Sequence, residues 1–273
     1  MKRSTTGCGR LVPTSSASGS HESRVAGRET PLAGPVPRFE LESWRELHGV
    51  VAGITGRGEG SPGFDLGLWT MQPVGQVMQR WRDLRRALPD FHGQVFAIQC
   101  HGTDVAWHQS SGYGWRILES LDGHATSSTG LLLAVSVADC IPVYLVDPGA
   151  RVVALLHAGW RGTAGRILAR GVEALVAHGA QPDRIVMHAG VGICGDCYEV
   201  GREVMEGCGL DTPGEGPWHL DLRQVLADQA AAIGINHVSI SSYCSAHDEG
   251  LFFSHRRSRG TDGRMVAYLG ILP

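Results

Sequence analysis

The chain has 273 residues, 42% hydrophobic and 19% charged, with a formal net charge of -3. That balance suits a globular chain with a sizeable core, in one large domain or two smaller ones, and shows neither the basic surplus of a nucleic-acid binder nor an acidic solvating tail. No apolar run reaches the roughly 18 residues of a membrane span. The N-terminus lacks the apolar segment of a secretory signal, and seven irregularly spaced cysteines argue against a disulfide framework and for a reducing, cytoplasmic setting.

Residues 1–38 are rich in Ser, Thr, Gly, Pro and Arg without periodicity, and read as a disordered extension. Residues 39–273 show no internal repeat and no second linker, which favours one domain. "VVAGIT" (50–55) and "GQVFAIQCHG" (93–102) read as strands. Val77, Trp81, Leu84 and Leu88 give residues 77–90 a helical face. "GLLLAVSVADC", "VYLVDP" and "RVVALLHAG" are long apolar strands, the last two joined as a hairpin across Pro148-Gly149.

A helix follows from Thr163 to His178, with Gly179 as its stop. "RIVMHAGVG" is a strand, "LRQVLADQAAAIGI" an amphipathic helix, and "HVSISSYC" and "RMVAYLGIL" the last strands. Strands outnumber helices and do not alternate strictly with them. The reading is α+β with a mixed, largely buried sheet.

Three strand ends carry chemistry. His101 ends "VFAIQCH", Cys140 ends "LLLAVSVADC" and His157 ends "VVALLH". If these strands lie side by side, two imidazoles and a thiolate make a three-ligand set that suits zinc with an open fourth position, and copper would also accept it. The bland alternative is two hydrogen-bonded histidines and a small core cysteine. Asp139 and Asp104 are placed to orient an imidazole or to form turns. Arg161, four residues past His157, is placed to meet an anion at the next helix or to sit on the surface. Trp160 either stacks on a ligand or packs in the core.

"GVGICG" (190–195) matches the dinucleotide fingerprint but lacks the second strand of a βαβ unit. Cys194 and Cys197 form a C-x-x-C with no second pair to complete a zinc set and no thioredoxin context. Arg256 and Arg257, beside Phe252 and Phe253, are anion donors or solvated charges at a strand end.

"QCHGTDV", "VADCIPVYLVDP", "LLHAGWRGTAGRI", "GDCYEVG" and "CSAHDEGLFFSHRRSRGTDGR" together resemble the YfiH-type family, also called the laccase-domain or polyphenol oxidase family. The resemblance runs from about His48 to the C-terminus. It implies a single-domain α+β fold, an α/β/β/α sandwich with mixed sheets like that of toxin deamidases, and a zinc on His101, Cys140 and His157. It also implies phosphorolysis of adenosine, inosine and methylthioadenosine, with adenosine deamination. Purine nucleosides and phosphate are then the partners, and the chain is expected as a monomer or homodimer. Two further family activities stand beside this one: copper-dependent phenol oxidation and peptidoglycan-precursor editing, the latter fitting a cysteine hydrolase with Cys140 as nucleophile and His157 as base. A metal-binding partner protein without catalysis is another alternative.

The rim departs from the family pattern. The family's turn arginine would align near Gly53, with Arg57 as nearest replacement; His255 stands for the usual Tyr, and Ser245 for Thr. Arg161 and Arg57, with Arg256 behind them, are the expected phosphate donors.

Overall fold

The computed structural model describes residues 28–109 and 112–273. In chain order these form β1 (Thr30–Leu32), β2 (Arg38–Glu40), α1 (Glu42–His48), β3 (Val50–Thr55) and α2 (Val74–Ala87). Seven strands follow: β4 (Gly93–Ile98), β5 (Val105–His108), β6 (Gly114–Glu119), β7 (Gly123–Thr126), β8 (Leu131–Val137), β9 (Ile141–Asp147) and β10 (Val152–Ala158). Then come α3 (Trp160–Ala164), α4 (Ile167–Val176), β11 (Val186–Ala189), β12 (Glu199–Val200), α5 (Arg202–Gly207) and β13 (Trp218–His219). The last elements are α6 (Leu222–Ala232), β14 (His237–Ile240), α7 (His255–Ser258) and β15 (Met265–Ile271).

Two mixed sheets carry the fold. One has the order β1-β2-β3-β15-β8-β4-β6, the other β14-β11-β9-β10-β7-β5. The continuous apolar strands are explained by burial on both faces. Along β10, Val153 and Leu155 point between the sheets, while Val152, Ala154 and Leu156 point to the opposite face against Ile167, Leu168 and Val172 of α4. Along β8, Leu131, Leu133 and Val135 fill the space between the sheets, and Leu132 and Ala134 pack against Val77, Trp81 and Leu84 of α2. Period-two alternation thus builds three apolar layers, and the result is helix, sheet, sheet, helix. Each large apolar side chain buried this way contributes about 1.5–3 kcal/mol.

The hairpin reading holds: β9 and β10 pair antiparallel with Asp147 opposite Val152, and Asp147 accepts from the Gly149 and Ala150 amides in the turn. The single helix expected from Thr163 to His178 is instead two. Arg166, at φ 66, turns the chain left-handed between α3 and α4. The strands β5, β6 and β7 had no clear signal; β6 is a half-exposed edge strand and β7 only four residues long.

The fold also begins before residue 39. β1 pairs with β2, and the Glu29 carboxylate, buried, accepts from Ser241 Oγ and meets His188 Nε2 at 2.9 Å. That buried hydrogen-bonded contact gives residues 28–38 a structural reason to be ordered. Residues 1–27 of the expected disordered extension lie outside the described residues. Among those described, no helix is long and apolar enough to cross a membrane.

Candidate metal centre and cleft

His101, Cys140 and His157 converge. One ligand atom from each lies within 4.8 Å of the others, and the two imidazoles meet edge to face with ring centres 4.9 Å apart. The convergence follows from topology. His101 stands just beyond β4 of the first sheet, and Cys140 lies on the connection that carries the chain from β8 of the first sheet to β9 of the second. His157 is the penultimate residue of β10. Since His157 pairs with Pro142 and Ala158 with Ile141, the register runs on to set Gly159 against Cys140. A Cβ on Gly159 would lie 3.0 Å from Cys140 Sγ and 3.2 Å from His101 Cδ2. Any side chain here would press the cysteine and the histidine apart by a few tenths of an ångström.

Asp122 organises the centre. Its Oδ1 accepts from His157 Nδ1 at 2.8 Å and from the His101 amide at 3.0 Å. Its Oδ2 accepts from the Gly102 amide at 2.7 Å and from the Cys100 amide and thiol, both at 3.2 Å. Because Asp122 holds the Nδ1 proton, Nε2 is the nitrogen that His157 can offer a metal once its own proton leaves. Burial would raise the Asp122 pKa, but these bonds and the His157 charge hold its carboxyl well below the usual carboxylate range.

Burial also opposes a Cys140 thiolate. Facing His157, and hydrogen-bonded by both imidazoles, the thiol nevertheless falls to about 6. His157, despite its burial, rises to about 9 through Cys140 and Asp122. The donor chemistry fits a metal: a ready thiolate, an imidazole whose tautomer is fixed, and a second imidazole on the open side.

The trio lies on the wall of a cleft of ≈ 640 Å³, within the range of small-molecule sites. Arg161, Arg256 and Arg264 line it, as do Trp69, Trp160 and Tyr198. Arg161 lies over the Trp160 ring at 4.4 Å and Arg256 over Tyr198 at 4.9 Å. Trp160 is half-buried against the helical layer, so it both packs and faces the cleft.

Arg57 is not part of this lining. Its guanidinium pairs with Asp262 at 3.0 Å and covers Phe253 at 4.9 Å, which makes it a structural contact. Nor does position 53 admit an arginine, because a Cβ there would meet Phe39 O at 2.5 Å. The cleft arginine that replaces it is Arg264. Its Nη1 donates to the Asp262 and Gly263 carbonyls, and its Nη2 approaches His255 Nδ1 at 3.4 Å.

Asp139 and Asp104 do not orient an imidazole. Asp139 accepts from Ser245 Oγ at 2.7 Å and from the Arg256 amide at 2.6 Å, while the Asp104 carbonyl accepts from the Asp122 amide. "GVGICG" is a close-approach loop rather than a dinucleotide turn, since a Cβ on Gly192 would meet Asp139 O at 2.7 Å. The C-x-x-C does have partners: Cys244 and His247 stand with Cys194 and Cys197, all four within 4.8 Å. The completing half is a C-x-x-H rather than a second cysteine pair. Asp122 had no such sequence signal.

The cleft joins two histidines and a cysteine that could hold a metal ion to a rim of arginines and aromatic rings. Residues 52–272 match the family described as "Multi-copper polyphenol oxidoreductase laccase", and the chain belongs to that family. It is similar to "Purine nucleoside phosphorylase YlmD" of Geobacillus stearothermophilus, 35% identical over 247 residues that cover 81% of this chain and 90% of the relative. Over 159 residues, 54% of this chain and 61% of the relative, it is 40% identical to "Adenosine deaminase RL5" of an unknown prokaryotic organism. The crystal structure of the hypothetical protein YfiH of Bacillus licheniformis superposes with a TM-score of 0.81 at 30% identity, covering 88% of this chain and 98% of that one.

Proposed function

We propose that the chain is a zinc-dependent purine nucleoside enzyme. It would split adenosine, inosine and methylthioadenosine with phosphate into free base and pentose 1-phosphate, and would deaminate adenosine. The observation that carries this reading is the His101–Cys140–His157 set on the wall of a cleft whose rim holds Arg161, Arg256 and Arg264. The names borne by the similar proteins support the substrate class.

Zinc bound by the trio supplies a Lewis acid and acidifies a water molecule. The residues of the chain do the rest. The rim arginines hold phosphate by charge-assisted hydrogen bonds, and Trp69, Trp160 and Tyr198 offer faces to a purine. In phosphorolysis a phosphate oxygen bonds to C1′ of the sugar as the bond from C1′ to the base breaks, with its electron pair leaving on the base. Holding the two reactants in line is worth up to about 7–11 kcal/mol. Asp122 keeps His157 in one tautomer throughout.

A second reading has one specific observation in its favour: Cys140, His157 and Asp122 line up as nucleophile, base and orienting carboxylate. Phosphate-dependent release of hypoxanthine from inosine, measured with metal content, separates the two. Zinc on the trio, with base release lost in Cys140→Ala, supports the nucleoside enzyme. Protein with no metal on the trio that turns over an amide and is trapped by a thiol-reactive analogue establishes the hydrolase instead.

A further inference from the structure

A second cluster of ligands lies outside the trio. Cys194 opens the single helical turn Gly195–Cys197, which brings Cys194 and Cys197 into the same cluster. Cys244 and His247 come from the loop after β14, tied to the first loop where Gly192 bridges Cys244 and the Ser245 amide donates to the Gly192 carbonyl. His247 lies between two sulfurs, with Nδ1 3.3 Å from Cys194 Sγ and Nε2 3.4 Å from Cys197 Sγ. The Cys244 sulfur accepts from the Cys194 amide at 3.3 Å and the His247 amide at 3.5 Å. Amides aimed at sulfur favour a thiolate. None of the six described cysteines is in a disulfide.

We propose that Cys194, Cys197, Cys244 and His247 form a second, structural zinc site. Three thiolates and one imidazole complete a tetrahedron with no position left for substrate, unlike the trio. Zinc–sulfur and zinc–nitrogen bonds of about 2.3 and 2.0 Å place tetrahedral ligands roughly 3.5–3.8 Å apart, and the four ligand atoms here already lie within 4.8 Å. The spacing C-x2-C followed by C-x2-H is that of a structural zinc site split between two loops.

The site has a purpose in the fold. The first loop carries Ile193 and Tyr198 of the cleft wall, and the second carries Ser245, which holds Asp139 beside Cys140. Neither β11 nor β14 extends into this region, so zinc would add a side-chain cross-link to the single backbone bridge that joins the two loops. The inference is independent of which reaction the trio performs.

The test uses the full chain, purified with zinc and counted by elemental analysis. Wild type is expected to hold about two zinc ions and Cys244→Ser about one. The Cys100→Ser/Cys140→Ser variant removes both thiols near the trio but keeps all four proposed ligands. Loaded with cobalt, it should show intense thiolate-to-cobalt charge transfer and tetrahedral visible bands, whether or not Cys244→Ser folds. Cobalt without thiolate charge transfer in that variant would overturn the proposal. So would a disulfide among Cys194, Cys197 and Cys244 in protein purified under reductant.

Discussion

Replacing Asp122 by asparagine tests how the metal centre is built. The two carboxylate oxygens accept five hydrogen bonds, three through Oδ2 and two through Oδ1. An asparagine keeps one acceptor oxygen and turns the other position into a donor. If its oxygen faces His157, the new NH2 confronts the Cys100 and Gly102 amides. If it faces those amides, the NH2 confronts the His101 amide and His157, whose ring must then move its proton to Nε2 and lose its ligand atom. Either way at least two part-buried donors go unmet, at about 1–3 kcal/mol each. The metal-free protein should lose roughly 2–6 kcal/mol, which for a chain of this size lowers the melting temperature by at least about 4 °C. Loss of the partner that orients a histidine ligand should weaken zinc by about 10–100-fold. Chelator competition and a thermal melt monitored by circular dichroism measure both quantities. Zinc affinity within about twofold of wild type, with a melt within about 2 °C, would refute the role given to Asp122.

Three other outcomes are expected. Gly159→Ala should fold, since its φ is an ordinary -78, yet weaken metal binding at least about tenfold, because metal–ligand distances tolerate only about 0.2 Å and the new Cβ lies 3.0 Å from Cys140 Sγ; equilibrium dialysis decides it. Arg161→Ala should raise the KM for phosphate about 10–100-fold with little change in stability, whereas Arg57→Ala should leave that KM unchanged and cost about 1–2 kcal/mol in urea unfolding, because its partner is Asp262. Zinc uptake by the trio alone, with the second cluster already filled, should release about one proton at pH 7.5, from His157 rather than Cys140, since the imidazole loses its proton only near 9 and the thiol has already lost its own above about 6. Affinity should therefore fall about tenfold for each pH unit below 9 and more steeply below 6; titration calorimetry in two buffers of different ionisation enthalpy reads the proton count.

The three proposed ligands are legible because they interrupt apolar runs. Strands buried on both faces tolerate few polar residues, so a His or Cys at the end of "VVALLH" or "LLLAVSVADC" stands out. The sheet order that brings those ends together was not legible, and the family resemblance stood in for it. Asp122 carried no signal because its role depends on β7 lying beside β10, a pairing of four short residues without alternation. Arg57 is merely near in sequence to the position of the missing family arginine. Arg264 stands more than two hundred positions later, brought close by the Asp65 carboxylate, which accepts from both the Gly67 and the Arg264 amides.

The centre sits where the chain changes sheets, and that fixes which contacts can disturb it. Asp139, at φ 87, holds a left-handed conformation on the connection between β8 and β9. Such a residue costs about 1–3 kcal/mol unless its surroundings dictate it. Ser245 Oγ and the Arg256 amide supply that constraint, the first from the loop after β14 and the second from α7, so neither belongs to either sheet. The Ile193 amide adds a third tie through the Asp139 carbonyl. The position of the Cys140 sulfur is therefore set from outside the sandwich, by loops that also line the cleft. A substitution that loosens them, such as Ser245→Ala, acts on the thiolate ligand without touching either histidine.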